Sequence, residues 1–368
     1  MNIPYLDLHS QYLSIKNEID DSIKEVIENS AFIQGESVLK FERDFAAKCD
    51  SKYCVSTANG TDSIYIILKA LGIGLGDEVI TVANSWISSS ETISQTGAKP
   101  VFVDIDPDYY SIDENLIQEK ITSNTKAIII VHLQGQMCNM EKIVKIIELN
   151  NIFLIEDCAQ SHFSEFNNKK AGSFGIASSF SFYPGKNLGA YGDAGAIITS
   201  DNEISQKCRM FARHGALKKH EHQIEGINSR MDGIQASILN VKLKYILEWT
   251  TRRIDIAKAY SEKLKDIEDV IIPKIRKNTK HSFHLYVIRV KKRNELVVFL
   301  KKHGIQTGIH YPVPLPFLKA YDYLKHEKED FPVSYNFQNK ILSLPIYPEL
   351  CLKKINFICD KIKEFYEI

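Results

Sequence analysis

The sequence predicts an α/β fold, with a mostly parallel central sheet and a smaller α+β region at the carboxyl end, on three observations. Short β-rich runs alternate with helical ones between Lys52 and Cys158. Those runs are apolar almost throughout, as strands covered on both faces are. After Asn228 the alternation gives way to a long helical stretch and then to mixed strand and helix signals.

From Tyr12 to Glu28 and from Val38 to Lys48, apolar residues recur at helical spacing. "KYCVST" (52–57) then precedes a helical "TDSIYIILKALG", "DEVITV" (77–82) precedes "SSSETISQTG", and "KPVFVDI" (99–105) precedes a looser segment. "KAIIIVHL" (126–133) leads into the helical "MEKIVKIIELN", and "IFLIEDC" (152–158) into a stretch rich in glycine and small residues. Strands separated by helices in this way build a largely parallel sheet. Beyond it the spacing predicts one helix over about Asp232 to Leu264, a strand in "SFHLYVIRV" (282–290) and a helix in "NELVVFLKKHG". A proline-rich "IHYPVPLPF" (309–317) and a last helix from near Leu350 complete the chain. Two domains are expected, 1–245 and 246–368, with the ligand where they meet.

A chain of 368 residues is long enough for both. Lys plus Arg and Asp plus Glu each number 46. With no net charge and no block of one sign, neither nucleic acid nor a membrane surface is an expected partner. No apolar run approaches the ~20 residues of a membrane span, and "MNIPYLDLHSQYLSIKNEIDD" lacks the basic start and apolar core of a secretory signal. A cytoplasmic protein acting on a small molecule is the expectation. Seven cysteines, at 49, 54, 138, 158, 208, 351 and 359, are odd in number and scattered. That spacing predicts reduced, mostly buried thiols and no metal site.

Three pieces could carry chemistry. In "LIEDCAQS" the pair Glu156 and Asp157 ends an apolar strand, where α/β folds bind ligands, although an aspartate there also caps helices. In "STANGTDSI", Asn59-Gly60-Thr61 opens a helix, and first-turn N–H groups with the helix dipole favour phosphate. In "SFYPGKNLGAYGDAGAI" the single Lys186 stands among glycines and alanines, with Gly185 expected to relax the backbone beside it. A phosphate cradle, a strand-end aspartate and a later lysine are together what pyridoxal 5'-phosphate (PLP) requires. "PGKN" is no P-loop, because Asn187 follows the lysine where Ser or Thr must stand.

Six collinear motifs, "NGTDSI", "SWISSSETISQTGAKPVFVDID", "EDCAQS", "FYPGKNLGAYGDAGAI", "EGINSRMDGIQASIL" and "HYPVP", resemble the DegT/DnrJ/EryC1/StrS family of PLP-dependent nucleotide-sugar aminotransferases. The resemblance implies an aspartate-aminotransferase-like fold (PLP fold type I) and a homodimer with shared active sites. Carried over by position, Lys186 would form the covalent imine link and act as base and acid, and Asp157 would pair with the ring nitrogen. Trp86 would cover the ring, Gln160 would reach its hydroxyl, and Gly60, Thr61 and Ser181 would hold the phosphate. Asn228 would arrive from the partner subunit, while Tyr183, His310 and Tyr311 would contact substrate. Pro316 stands where the family often has a further histidine, so no role for that histidine transfers.

The same resemblance implies L-glutamate as amino donor and a nucleotide-linked keto-sugar as acceptor. "SFYPGKNLGAYGD" is similar to enzymes acting at C3 of a dTDP-linked 3-keto-6-deoxyhexose; UDP-linked 3-keto-N-acetyl sugars and 4-keto sugars are the alternatives. The basic "RHGALKKHEH" (213–222) is either a diphosphate contact or plain solvated surface. A non-catalytic regulator would not require both Lys186 and Asp157.

Overall fold

The computed structural model describes residues 1–367. Helices α1 (Leu8–Ser14), α2 (Lys16–Glu28) and α3 (Glu36–Lys48) precede the sheet. The first begins earlier than periodicity suggests, because the Asp7 carboxylate accepts the Ser10 N–H and caps it. Strands and helices then alternate as β1 (Tyr53–Thr57), α4 (Gly60–Ala70), β2 (Glu78–Val82), α5 (Ser88–Thr96), β3 (Lys99–Val103), β4 (Thr125–Val131), α6 (Met140–Asn150) and β5 (Phe153–Asp157). A short hairpin, β6 (Glu165–Phe166) and β7 (Lys169–Lys170), leads to β8 (Ala177–Ser181), β9 (Gly195–Thr199) and α7 (Asn202–Phe211).

The seven long strands form one sheet in the order β1-β9-β8-β5-β4-β2-β3. All run parallel except β9, which is antiparallel to both neighbours. Both faces are covered, which is why the strands read as unbroken apolar runs. On β4, Ile128 and Ile130 enter the core that holds Phe41, Phe45 and Phe182, while Ala127 and Ile129 enter the opposite one with Ile64, Ile67 and Cys208. Each fully buried isoleucine stabilises the fold by about 1.5–3 kcal/mol.

Helices α8 (Gly233–Lys242) and α9 (Ile246–Leu264) replace the single helix expected over 232–264. Lys244 N–H and Tyr245 N–H bond three residues back, to Val241 and Lys242 carbonyls, so the turn tightens between them. The apolar spacing runs through this join, leaving no break in the sequence pattern. Trp249 packs on the core of the large sheet, whereas Ile256, Tyr260 and Leu264 enter another core. That core belongs to the antiparallel sheet of β10 (Val270–Ile271), β12 (Tyr286–Val290) and β13 (Ile341–Leu344). Helices α10 (Arg293–Lys302) and α12 (Leu352–Glu367) complete it, and α11 (Pro332–Phe337) lies between them in sequence. Strand β11 (Thr279–Lys280) crosses back to pair with β6 and ties the two regions together. Among the described residues no helix is long and apolar enough to cross a membrane. All seven cysteines are unpaired and six are buried.

Candidate active site

Strand β5 ends in two carboxylates on opposite faces. Glu156 is fully buried and accepts the backbone N–H groups of Gly172, Phe174 and Gly175 at 2.9, 2.7 and 2.8 Å. A fourth bond, 3.0 Å, comes from His132 Nε2. The Cys138 N–H can only donate, and it donates to His132 Nδ1 at 3.2 Å. The ring is therefore the neutral tautomer with its proton on Nε2. Burial pushes the Glu156 carboxyl pKa up, but His132 and the N–H groups outweigh it and hold the value below the ordinary range. His132, Glu156 and Cys158 lie close enough to suggest a metal cage, yet the first two already spend their lone pairs on these bonds.

Asp157 turns the other way, into a cavity of about 580 Å³. Its carboxylate accepts one backbone bond, from Ala159 N–H at 3.0 Å. Burial pushes its pKa up; the Ala159 N–H and the charge of Lys186 only partly offset this. Lys186 lines the same cavity. Burial pulls its pKa down to about 8, with the Asp157 charge acting in the other direction. A fraction of the group is thus the neutral, nucleophilic amine at physiological pH, far more than for an ordinary lysine.

The loop that carries Lys186 folds back on itself. Lys186 N–H bonds the Tyr183 carbonyl at 2.8 Å, and any side chain at Gly189 would start 2.3 Å from the Pro184 carbonyl oxygen. Gly185, expected to supply the backbone freedom, does not: a Cβ there would make ordinary contacts at 3.5 Å, and its φ is not left-handed. Buried Lys242 on α8 fastens the loop, donating to the Gly189 carbonyl at 2.7 Å with its ammonium 4.3 Å from the centre of the Tyr191 ring. Asn187 donates to the Ser282 carbonyl at 3.1 Å and lies 3.2 Å from His284 Nδ1.

Across the cavity, the N-terminus of α4 meets the end of β8. Asn59 caps the helix by accepting Asp62 N–H at 2.8 Å. A Cβ on Gly60 would lie 2.8 Å from that of Ser181, so only glycine lets helix and strand approach this closely. Thr61 and Ser88 share a hydroxyl contact of 2.6 Å. Gly60, Thr61, Ser181, Tyr183, Gln160, Trp86, His310 and Tyr311 all line the cavity with Asp157 and Lys186. Gln160 accepts the Gln134 N–H at 2.6 Å and donates to the Tyr311 hydroxyl at 3.1 Å. Trp86 and Tyr183 are each 59% exposed at the rim, and Trp86 tilts against Tyr311. Asn228 does not line its own chain's cavity; it forms a β-bridge with Arg213.

Sequence reading missed several wall residues: Tyr5, Asp193, Arg253 and His284. His284 stands between Phe283 and Leu285 just ahead of β12, and a polar residue flanked by apolar ones was the available signal. Arg253 stands beside Arg252 on α9, and nothing in the pattern separates a buried arginine from an exposed one there.

The chain belongs to the DegT/DnrJ/EryC1/StrS aminotransferase family, which it matches over residues 13–363. It is 43% identical to a "Pleiotropic regulatory protein" of Geobacillus stearothermophilus, over 100% of this chain and 99% of that one. It is also 43% identical to the dTDP-3-amino-3,6-dideoxy-alpha-D-galactopyranose transaminase of Aneurinibacillus thermoaerophilus, over 99% of each. The S. venezuelae DesV, solved in complex with a ketimine intermediate, superposes with a TM-score of 0.98 at 34% identity, covering 100% of this chain and 99% of that one.

Proposed function

We propose that this protein is a PLP-dependent aminotransferase that moves an amino group from L-glutamate to C3 of a nucleotide-linked keto-sugar, a dTDP-3-keto-6-deoxyhexose. One observation carries the reading: Lys186 and Asp157 open into the same cavity as the N-terminus of α4. The residues fit the cofactor, since an anion-favouring helix start, a buried carboxylate and a depressed-pKa lysine share one space. When bound, PLP supplies an aldehyde that takes amines as imines and a ring that draws in electrons from a broken C–H bond.

Asp157 holds a protonated ring nitrogen by charge, and that cation offsets the cost of keeping the carboxylate in the dry interior. Lys186 would hold the cofactor's aldehyde carbon, and its Nζ, when free, would be the group placed to take up and return a proton beside it. Gly60, Thr61 and Ser181 bind the phosphate, Gln160 orients the ring, and Trp86 excludes water from one side of it. Tyr183, His310 and Tyr311 hold the sugar. Burial pulls the His310 pKa down to about 4, so it meets substrate as a neutral ring.

We further place the division between two domains near residue 245 and take the working unit to be a cytoplasmic homodimer with Asn228 reaching the partner's cavity. The wide rim exposure of Trp86 and Tyr183 supports a shared site. Purified protein mixed with PLP is expected to show an imine absorbance that glutamate abolishes, and Lys186→Ala loses that absorbance. Incubation with dTDP- and UDP-linked 3-keto and 4-keto sugars, read by NMR at the aminated carbon, identifies the acceptor; amination at C4 alone overturns the C3 assignment. Imine formation with no response to glutamate would instead favour a regulator.

A further inference from the structure

Arg253 is 3% exposed and lines the cavity; the Glu349 carboxylate is close enough to act on its charge, but among the described residues no carboxylate forms an ion pair with it. Its hydrogen bonds all leave from Nη1, to the carbonyls of Ile346 at 2.9 Å, Phe283 at 3.3 Å and His284 at 3.5 Å. Nε is buried without a partner, and Nη2 makes no hydrogen bond. The Tyr5 hydroxyl, on the same wall and close enough to feel the Arg253 charge, is also buried, with the Ser343 hydroxyl nearby but no well-aligned hydrogen bond. Buried donors are rarely left unpaired, and Glu349 acts on the guanidinium without taking any of its hydrogen bonds. The three carbonyls pin one edge of the guanidinium and leave the other free. A planar fork with two free N–H positions matches the two oxygens of a carboxylate, which a lysine ammonium would not.

We propose that Arg253, helped by the Tyr5 hydroxyl, is the subsite that takes a carboxylate of the amino donor. The assignment rests on the aminotransferase reading above and names the group that reading leaves without a partner. It also accounts for the discrimination between the two substrates. An amino acid brings a carboxylate to this wall, whereas a keto-sugar carries its charge on the remote diphosphate.

The test follows both half-reactions separately, with glutarate as a non-reacting probe. Arg253→Met is expected to raise the glutamate concentration for half-maximal loss of imine absorbance at least 100-fold. Amination of the keto-sugar by amine-loaded variant should change less than threefold. Arg253→Lys should recover about tenfold of the loss, and Tyr5→Phe alone should raise the half-saturating concentration about fivefold. Calorimetry should find glutarate binding to wild type and not to Arg253→Met. Equal loss in both half-reactions, or an unchanged glutamate requirement in a variant that forms the imine, overturns the subsite. If Arg253→Met does not fold, an unchanged glutamate requirement in both Arg253→Lys and Tyr5→Phe does the same. A wild type that binds glutarate through Arg253 but never forms an imine leaves the subsite standing and refutes the aminotransferase reading.

Discussion

Glu156 and Asp157 are neighbours on one strand, buried alike, and of the same chemistry, but their surroundings are opposite. Glu156 accepts four hydrogen bonds from within the fold, and its pKa is held low. Asp157 accepts one, and its pKa is pushed up by burial. The first carboxylate belongs to a network complete in the folded chain, the second to one with a single hydrogen bond and open space beside it. A buried charge left short of partners destabilises a protein, so its persistence marks the face where a ligand finishes the structure.

Substitution on the open face should produce the largest effect. Asp157→Asn is expected to lower kcat on the order of 10²–10³-fold, the range for losing one preorganised electrostatic partner. The cofactor-free Asp157→Asn protein should nonetheless melt no lower than wild type at neutral pH. The sign follows from linkage: a carboxyl whose pKa is raised by folding favours the fold only when protonated, and that contribution is gone once the pH exceeds the raised value. Lower stability in this variant would dissolve the contrast between the two faces.

The closed face should show the reverse. Glu156→Gln is expected to cost about 3 kcal/mol, read as a fall in the urea midpoint, while folded enzyme keeps kcat within a few-fold. Because folding depresses the Glu156 pKa, its stabilisation is present above the usual carboxylate range and is lost as the pH falls through the lowered value. Wild type should therefore lose stability more steeply in acid than Glu156→Gln does. Parallel acid-denaturation curves for the two would argue that Glu156 is not the closed partner described.

A smaller effect is expected at the phosphate end. Gly60→Ala must push helix and strand apart at Ser181, which should weaken PLP binding about tenfold, measured by titrating the imine absorbance. Smallest, and most discriminating, is the titration of Lys186 itself. In cofactor-free protein its acylation rate should follow a group with pKa about 8, and Asp157→Asn should move that value further down by removing the charge that supports it. No movement would mean that the two groups do not sense each other across the cavity.

The extent to which all this was legible differs from residue to residue. Parallel strands were readable because burial on both faces leaves no polar alternation, as in "KAIIIVHL". Asp157, Lys186 and Gly60 were readable because each belongs to a collinear motif. The break between α8 and α9 was not, since a change from four-residue to three-residue hydrogen bonding leaves apolar spacing intact. Nor was the division of labour at Gly185 and Gly189, because a glycine needed for a close approach looks the same in sequence as one that is not.

The sequence alone determined the α/β class, the order of the elements, the family and many of the residues that converge on the cavity, because those follow from local periodicity and from spacing along the chain. Tertiary structure alone decided which of two adjacent carboxylates is satisfied, which of two adjacent arginines is buried, and which glycine the lysine loop requires. Those outcomes depend on hydrogen-bond partners and steric neighbours brought from far along the chain, His132 for Glu156 and Ile346 for Arg253, and such distances in sequence carry no local signature.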